Sequence, residues 1–264
     1  MPPKPPIVLS TDFGLSDGFV GVMHSVIYSI SPEARVIDLT HFIEPQDVQQ
    51  AAFLLFAHWR YFPEGTVFVA VVDPGVGTTR KPIILHTNDD RFIIAPDNGL
   101  IDLVIDHYGV KSLIHFTNRE FYLSQISTTF HGRDIFSPGA AHLWKIGNPL
   151  SFGKPISYRR KLPYYILHVY QGDTAIIEGR IIHIDRFGNA MTNVMWHGNE
   201  PPRGYIEVKG KKISFFPSYG YVNPGEPLAL VNSEQMIEIA INQGSARFAL
   251  AISRGERVRI VIVN

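Results

Sequence analysis

The first half of the chain alternates short apolar runs with longer segments of helical period. A short apolar run bounded by turn residues predicts a strand, and apolar residues three or four positions apart predict a helix. The predicted strands are Ile7–Ser10, Val36–Leu39, Thr66–Val72, Ile83–Leu85 and Phe92–Ala95, the last two forming a hairpin across Thr87–Arg91. The predicted helices are Gly18–Ile30, Gln46–Phe62, Leu100–His107 and Ser137–Trp144. This alternation indicates an α/β domain with a mixed, largely parallel sheet.

The pattern changes near residue 150. Ser151–Pro163 is rich in Pro, Gly and basic residues and shows little periodicity. The strands predicted after it are Thr174–Ile184, Arg203–Val208, Lys212–Phe216, Pro227–Val231, Met236–Ile241 and Arg257–Val263. Short strands without long helices indicate a small all-β barrel or sandwich. We therefore predict an α/β catalytic domain over residues 1–160 and an antiparallel β-barrel domain over residues 161–264.

Composition and charge narrow the class of protein. The 264 residues carry a net charge of zero, and 45% of them are hydrophobic, which is typical of a soluble globular protein. Basic residues are not clustered, so nucleic acid is not an expected partner. No apolar run is long enough to span a bilayer. The chain has no cysteine, which excludes thiolate catalysis and disulfides, and residues 1–6 lack an apolar signal core. We expect a cytoplasmic protein that does not associate with membranes.

Two polar clusters in the first half follow predicted strands, where open α/β sheets bind their ligands. Asp12 follows the first strand and could accept hydrogen bonds from ribose hydroxyls. Asp17 could bind the same ligand, or Asp17 or Ser16 could cap the next helix. Asp73 ends a very apolar strand, and Arg80 follows after a glycine-rich loop. That pair could be catalytic, or it could be an ion pair that only holds the loop.

His131 lies in a third cluster, between Phe130 and Gly132. A histidine beside a glycine suggests a close approach of two segments, although a loop histidine is often structural. If Asp12, Asp73 and Asp97 lie near His131 in the sheet, the set could also bind a metal ion.

The fourth cluster lies in the second half and has two parts. Asp185–Asn189 interrupts apolar sequence and could be a β-bulge with a polar turn. Asn232–Glu234 precedes a strand and could be only a turn. Neither part indicates a particular ligand by itself.

Taken together, these clusters resemble the S-adenosylmethionine hydroxide adenosyltransferases, or SAM hydrolases, which are related to the SAM-dependent fluorinases and chlorinases. The resemblance extends from Thr11–Gly14 to Gly244–Ala246 and spans almost the whole chain. It implies attack of water at the ribose C5′ of S-adenosyl-L-methionine, which releases adenosine and L-methionine. The substrate is then the only small molecule expected, with no metal and no other cofactor.

The resemblance also implies roles for individual residues. The implied catalytic set is Asp73, Arg80 and His131, and halogenating relatives have other residues, such as tyrosine, at the first and last of these positions. The implied substrate-binding residues are Asp12 and Asp17 at the ribose, Asp185 and Ser233 at the methionine end, and Asn189, Phe187 and the backbone from Ile241 to Gln243 at the adenine. Glu234 is a further implied substrate-binding residue. The spacing from Asp185 to Phe187 is one residue shorter than in the fluorinase. Thr87–Arg91 stands where fluorinases have a long insertion.

In the implied reaction Asp73 accepts a proton from water, Arg80 stabilises hydroxide character, and His131 hydrogen-bonds the same water or relays its proton. The family further implies a homotrimer with active sites between subunits. Three alternatives stay open at this point. They are a SAM-dependent halogenase, a non-catalytic protein that binds SAM or adenosine, and a metal-dependent phosphoesterase.

Overall fold

The computed structural model describes residues 4–263 of the chain. The chain divides into two compact units, the first ending at Pro163 and the second beginning at Tyr164. The boundary after residue 160 stays a prediction for where the domains separate. The expectation that residues 1–6 are not an export signal lies partly outside the described residues.

The first unit is built on a mixed sheet covered by helices. Its strands are β1 (Ile7–Thr11), β2 (Val36–Thr40), β3 (Val67–Val71), β4 (Pro82–His86), β5 (Phe92–Pro96), β6 (Ser112–Phe116) and β7 (Gly153–Pro155). Its helices are α1 (Phe19–Ile30), α2 (Val48–His58), α3 (Asp102–Tyr108) and α4 (Ser137–Ile146), with a π-helical turn, Gly132–Phe136, directly before α4. Strands β6 and β7 and the π-helical turn are additions to the elements predicted from the sequence.

The strand order in this sheet is β2-β1-β3-β5-β4-β6-β7. The pairs from β2 to β5 are parallel, and the pairs from β5 to β7 are antiparallel. The predicted hairpin is confirmed as β4 and β5. The mixed sheet of the predicted α/β fold is confirmed as well.

Both faces of the central strands are buried, which explains why these strands are apolar at every position. On one face, Ile7 and Leu9 of β1 join a core with Met23 of α1 and Ala140 of α4. Phe68 of β3 stacks on Trp59 at the end of α2, with ring centroids 4.4 Å apart.

Helix α2 is shorter than the segment Gln46–Phe62 predicted for it. The Asp47 side chain accepts a hydrogen bond from Gln50 N at 2.8 Å and so caps the helix at its start. After His58 the chain continues as a 3₁₀ turn, Trp59–Tyr61, and ends before Pro63, which cannot continue a helix.

The second unit is a β-barrel. Its strands are β8 (Leu167–Tyr170), β9 (Ala175–Ile184), β10 (Ala190–His197), β11 (Gly204–Val208), β12 (Lys211–Ser214), β13 (Pro227–Val231), β14 (Met236–Ile241) and β15 (Arg257–Ile262). One short helix, α5 (Ala246–Ala249), follows β14. The strand order is β12-β11-β15-β9-β10-β14-β13, all antiparallel, and β8 pairs with β10 in parallel.

The sheet closes on itself where the chain leaves β12. Phe215 bridges to Ala229 of β13, and Phe216 N donates a hydrogen bond to Ala229 O at 2.8 Å. Closure removes the exposed sheet edges at these two strands and distinguishes a barrel from a sandwich. The interior is filled by alternate residues of each strand, such as Ile237 and Ile239 of β14.

Asp185–Asn189 is the turn between β9 and β10, which pair antiparallel with Ala190 opposite Ile184. The polar turn expected for this segment is therefore confirmed, and it joins two strands. β10 was absent from the predicted strands because Thr192 and Asn193 interrupt its apolar sequence. Both side chains are buried and hydrogen-bonded, to Ile237 O and Tyr165 O respectively. Within residues 4–263, none of the helices combines the length and the apolar character needed to cross a membrane.

Candidate active site

Two of the predicted carboxylates follow adjacent parallel strands. Thr11 at the end of β1 is in register with Val71 at the end of β3, so Asp12 and Asp73 emerge at the same edge of the sheet. Both line a cavity of about 400 Å³, the strand-end cavity. Its lining residues are Asp12, Phe13, Phe19, Pro45, Gln46, Val71, Asp73, Pro74, Val76, Thr129, Phe130, His131 and Gly132.

Arg80 binds Asp73 through two parallel hydrogen bonds. Arg80 Nε donates to Asp73 Oδ1 at 3.0 Å, and Nη2 donates to Oδ2. Both side chains are more than nine-tenths buried, with 7% of Arg80 and 6% of Asp73 exposed. This forked geometry fixes the plane of the carboxylate. Arg80 Nη1 is buried and has no hydrogen-bond partner among the described residues.

Gly77 allows the loop between Asp73 and Arg80 to adopt its conformation. Its φ is +76°, in the left-handed region that favours glycine. A Cβ atom at this position would lie 2.4 Å from the carbonyl oxygen of Thr128. Glycine is therefore needed for the loop to approach the segment that carries His131.

His131 joins the pair through Arg80. Its Nδ1 lies 3.0 Å from Arg80 Nη2. A guanidinium can only donate hydrogen bonds, so Nδ1 accepts and the neutral ring carries its proton on Nε2. Burial lowers the pKa of His131, and the positive charge of Arg80 lowers it further, against the opposing effects of Asp73 and Asp134. The lowered pKa favours the neutral ring at pH 7, with its proton on Nε2, and a hydrogen bond to the backbone of Ser127 opposes part of the lowering.

Asp134 holds the loop before His131 in place. Its carboxylate is fully buried and accepts hydrogen bonds from Ser127 N at 2.8 Å and from Arg133 Nε at 2.6 Å. Burial raises the pKa of Asp134, but these hydrogen bonds outweigh it and leave the pKa below its usual value. The following π-helical turn is of a kind found often at functional sites.

Gly132 is close to two aromatic rings, as the sequence suggested. A Cβ atom there would lie 3.2 Å from both the Phe13 and Phe130 rings. Phe19 completes the cluster, with its ring centroid 5.2 Å from that of Phe130. Three aromatic rings thus form an apolar wall beside the polar groups of the cavity.

Asp12 is held by neighbours that were not among the candidate residues. Gln46 N donates to Asp12 Oδ2 at 2.7 Å. The preceding Thr11 is buried, and its Oγ1 lies 2.7 Å from His41 Nδ1. His41 Nε2 in turn lies 3.0 Å from Asp38 Oδ1. Side chains from different segments therefore fix the backbone that presents Asp12.

Asp17 and Asp97 do not line the strand-end cavity. Asp17 is exposed, and α1 begins at Phe19 after Gly18, without a side-chain cap. The capping interpretation of Asp17 and Ser16 is therefore wrong. Asp97 is bound by Lys161 Nζ at 2.6 Å. Across residues 4–263, no cluster of three or more histidine, aspartate or glutamate side chains could hold a metal ion.

The seven candidate residues of the second unit all line one cavity of about 1000 Å³, the barrel cavity. They come from the β9–β10 turn, from the turn before β14 and from the end of β14. Its lining residues are Asp185, Phe187, Asn189, Met191, Pro217, Ser218, Tyr219, Leu230, Val231, Asn232, Ser233, Glu234, Glu238, Ile241, Gln243, Gly244 and Ser245.

Internal hydrogen bonds give both turns of the barrel cavity a defined shape. Asp185 Oδ1 accepts from Phe187 N at 2.9 Å and from Asn189 N at 2.8 Å, and Asn189 Nδ2 donates to Asp185 Oδ2. Phe187 is left 77% exposed at this turn. In the other turn Asn232 Oδ1 accepts from Glu234 N at 3.0 Å.

Glu238 and Tyr219 are cavity residues that the sequence interpretation missed. Glu238 is 1% exposed, and its carboxylate accepts hydrogen bonds from Tyr219 OH at 2.8 Å and from Asn232 Nδ2 at 3.1 Å. A signal was present, because Glu238 is the one charged residue in the apolar strand Met236–Ile241. No sequence feature singles out Tyr219.

Comparison with known proteins places the chain among SAM-processing enzymes. Residues 7–153 match the family model of the SAM hydroxide adenosyltransferase N-terminal domain, and residues 179–259 match that of the C-terminal domain. A protein of Salinispora tropica named (R)-S-adenosyl-L-methionine hydrolase is 36% identical over 98% of this chain and 99% of its own. A protein of the same name from Thermus thermophilus is 36% identical over 97% of this chain and 99% of its own.

The fold of the chain is also found among solved structures. An uncharacterized conserved protein from Thermotoga maritima is 35% identical and superimposes with a TM-score of 0.88, covering 97% of this chain and 99% of the other. Relatives named fluorinase match at lower identity, between 23% and 27%.

Proposed function

The chain belongs to the SAM hydroxide adenosyltransferase family, and we propose on this basis that it hydrolyses S-adenosyl-L-methionine to adenosine and L-methionine. The observation that supports this most directly is the set Asp73, Arg80 and His131, linked by hydrogen bonds beside a cavity. The relatives' name specifies the (R) configuration at sulfur, and we propose the same epimer as the substrate here.

The proposed reaction is an in-line displacement at C5′. The water oxygen attacks C5′, the C5′–S bond breaks, and its electron pair returns to sulfur, which leaves as the neutral thioether of methionine. A neutral leaving group needs no acid, so the catalytic requirement lies with the nucleophile. Positioning the water in line with the C–S bond supplies much of the acceleration.

The proton of the attacking water goes to Asp73 and then to solvent. Asp73 is the proposed acceptor because Arg80 donates to it in a fork that leaves each oxygen a further lone pair. His131 carries its ring proton on Nε2, so it donates to the nucleophile and does not act as a second base. Arg80 stabilises the negative charge that develops on the oxygen.

A halogenase is the second candidate, since more distant relatives are named fluorinase. A carboxylate beside the nucleophile would repel a halide ion but would accept a proton from water. Asp73 therefore favours hydrolysis. A binding protein without catalysis would have no use for a hydrogen-bonded Asp–Arg–His set, and this set favours an enzyme.

Product identity tests the proposal. The protein would be incubated with each sulfonium epimer in ¹⁸O-labelled water, with and without chloride, and the products identified by mass spectrometry. We expect adenosine with ¹⁸O at its 5′-hydroxyl, unchanged by chloride or by a chelator, and formed from the (R) epimer. Chlorinated nucleoside, unlabelled adenosine or loss of activity with the chelator would contradict it.

The remaining assignments are part of the same proposal. We assign the ribose to Asp12 and Asp17, the methionine end to Asp185, Ser233 and Glu234, and the adenine to Asn189, Phe187 and the backbone at Ile241–Gln243. Adenosine should therefore bind by itself, and calorimetry at millimolar concentration measures this. We also propose a cytoplasmic homotrimer with active sites between subunits. A fully active monomer in light scattering would contradict the shared sites.

A further inference from the structure

The barrel cavity carries negative charge that no basic residue balances. Asp185, Glu234 and Glu238 line it, and none of its described lining residues is lysine, arginine or histidine. A concave site lined by charge of one sign concentrates ligands of the opposite sign.

Glu238 is the most deeply buried of the three. It projects from β14 on the side opposite the barrel interior, where its neighbours in register are Met191 of β10 and Leu230 of β13. Its two hydrogen bonds come from the neutral groups of Tyr219 and Asn232. The carboxylate is thus oriented, but its charge is not neutralised.

An unbalanced buried carboxylate is costly to the folded protein. Burial raises the pKa of Glu238, and the charges of Asp185 and Glu234 raise it further, while the hydrogen bonds from Tyr219 and Asn232 act in the opposite direction. Charged groups kept in such surroundings are found more often at binding sites than elsewhere. A positively charged ligand in the cavity would relieve the cost.

S-adenosyl-L-methionine has a permanent positive charge at its sulfonium. Its demethylated counterpart, S-adenosyl-L-homocysteine, has the same skeleton and the same α-ammonium group but a neutral thioether in place of the sulfonium. We propose that Glu238, with Asp185 and Glu234, makes the barrel cavity select S-adenosyl compounds by positive charge, in favour of the sulfonium and against the thioether. This inference rests on the proposed function, because that function places the substrate in this cavity.

The same selection would favour product release. Attack at C5′ converts the sulfonium into a thioether, so the charge that attracted the substrate disappears as the products form. Glu238 acts on the positive charge of the bound substrate and on the part of it that remains in the transition state, so it stabilises both and does not accelerate the chemical step. Glu238→Gln should therefore raise KM for SAM and leave kcat within about twofold.

Calorimetry with two stable ligands tests the proposal. Sinefungin has an amine-bearing carbon in place of the methylated sulfur and is positively charged there, whereas S-adenosyl-L-homocysteine is neutral there. We expect the wild-type protein to bind sinefungin at least 10-fold more tightly, and Glu238→Gln to reduce this ratio to about threefold or less. Adenosine affinity should change less than twofold, which shows that the cavity is intact.

Glu207→Gln is the matched control, because Glu207 of β11 does not line the barrel cavity and the variant loses the same charge. It should keep the wild-type ratio. Glu234 lies in a partly exposed turn, so Glu234→Gln should lower the ratio of sinefungin affinity to S-adenosyl-L-homocysteine affinity by a smaller factor. This variant replaces Glu238→Gln in the test if Glu238→Gln does not fold. A wild-type ratio in folded Glu238→Gln, or equal binding of both ligands to the wild type, would overturn the inference. Absence of binding by all three ligands would instead contradict the proposed function.

Discussion

Nη2 of Arg80 lies 3.0 Å from Nδ1 of His131, and the two residues are 51 positions apart in the chain. The same nitrogen also donates to the carboxylate of Asp73. One guanidinium therefore orients both the proposed base and the histidine, and it determines which ring nitrogen carries the proton. The following predictions depend on this arrangement and on the charge of the barrel cavity.

Asp73→Asn should reduce turnover by about 10²-fold or more, because an amide cannot take a proton from water. Substrate affinity should change little. Single-turnover rates and melting temperatures measure the two effects separately. Asp106→Asn is the control, because Asp106 is also paired with an arginine, Arg160, but does not line the strand-end cavity. A folded Asp73→Asn protein with close to the wild-type rate would remove Asp73 from the mechanism.

Arg80→Ala should slow the same step as Asp73→Asn. The variant that carries both substitutions should react almost as fast as the more impaired of the two single variants. The reason is that both residues act on one water molecule, and residues that act as a unit give non-additive effects. The measurement is the single-turnover rate constant of each variant. Additive losses would indicate two independent contributions, such as a structural ion pair combined with a separate catalytic group.

His131→Gln should keep more activity than His131→Ala. A glutamine side chain offers an amide N–H in place of the Nε2–H donor, whereas alanine offers no donor. We expect a loss of about 10²-fold for Ala, the lower end of the range for a positioned side chain that takes part in proton transfer, and a smaller loss of about 10-fold for Gln. Equal losses in the two variants would indicate that His131 acts as a proton acceptor.

The rate should fall in acid, at a pH below 6.5, because burial and the positive charge of Arg80 hold the pKa of His131 below its ordinary value of 6.5. A lowered histidine pKa means that the fold favours the neutral ring, so the arrangement is complete above 6.5 and is lost as pH falls through the lowered value. Protonated Nδ1 cannot accept from Arg80. In His131→Gln, kcat/KM should no longer decrease at acid pH. A decrease that persists in this variant would indicate that another titrating group causes it.

Glu238→Gln should make the protein more stable at neutral pH. The pKa of Glu238 is raised in the folded state, so its contribution to stability is lost as pH rises through that raised pKa. We expect a Tm about 2–4 °C higher at pH 8, the shift for a change of about 1 kcal/mol, and no advantage near pH 4. Calorimetric melting at both pH values, with Glu207→Gln as control, makes the test. A lower Tm at pH 8 would mean that the carboxylate contributes more to the fold than its burial costs.

Much of this protein is determined locally by its sequence. Apolar runs such as Val67–Val71 predict buried parallel strands, because both faces of such strands are covered. Polar residues that directly follow these runs, such as Asp12 and Asp73, must emerge at the carboxyl edge of the sheet. The family motifs identified the remaining candidate residues, and the strand-end and barrel cavities contain all of them except Asp17 and Arg80.

Other features depend on tertiary packing, which no local pattern contains. The contact of Arg80 with His131 requires the close approach at Gly77 and the anchoring of the His131 loop by Asp134. Glu238 gains its significance only because β14 lies in the barrel wall between β10 and β13 and Tyr219 reaches its outer face. Hydrogen bonds and charges act over a few ångströms in space, and distances along the sequence do not specify which side chains come that close.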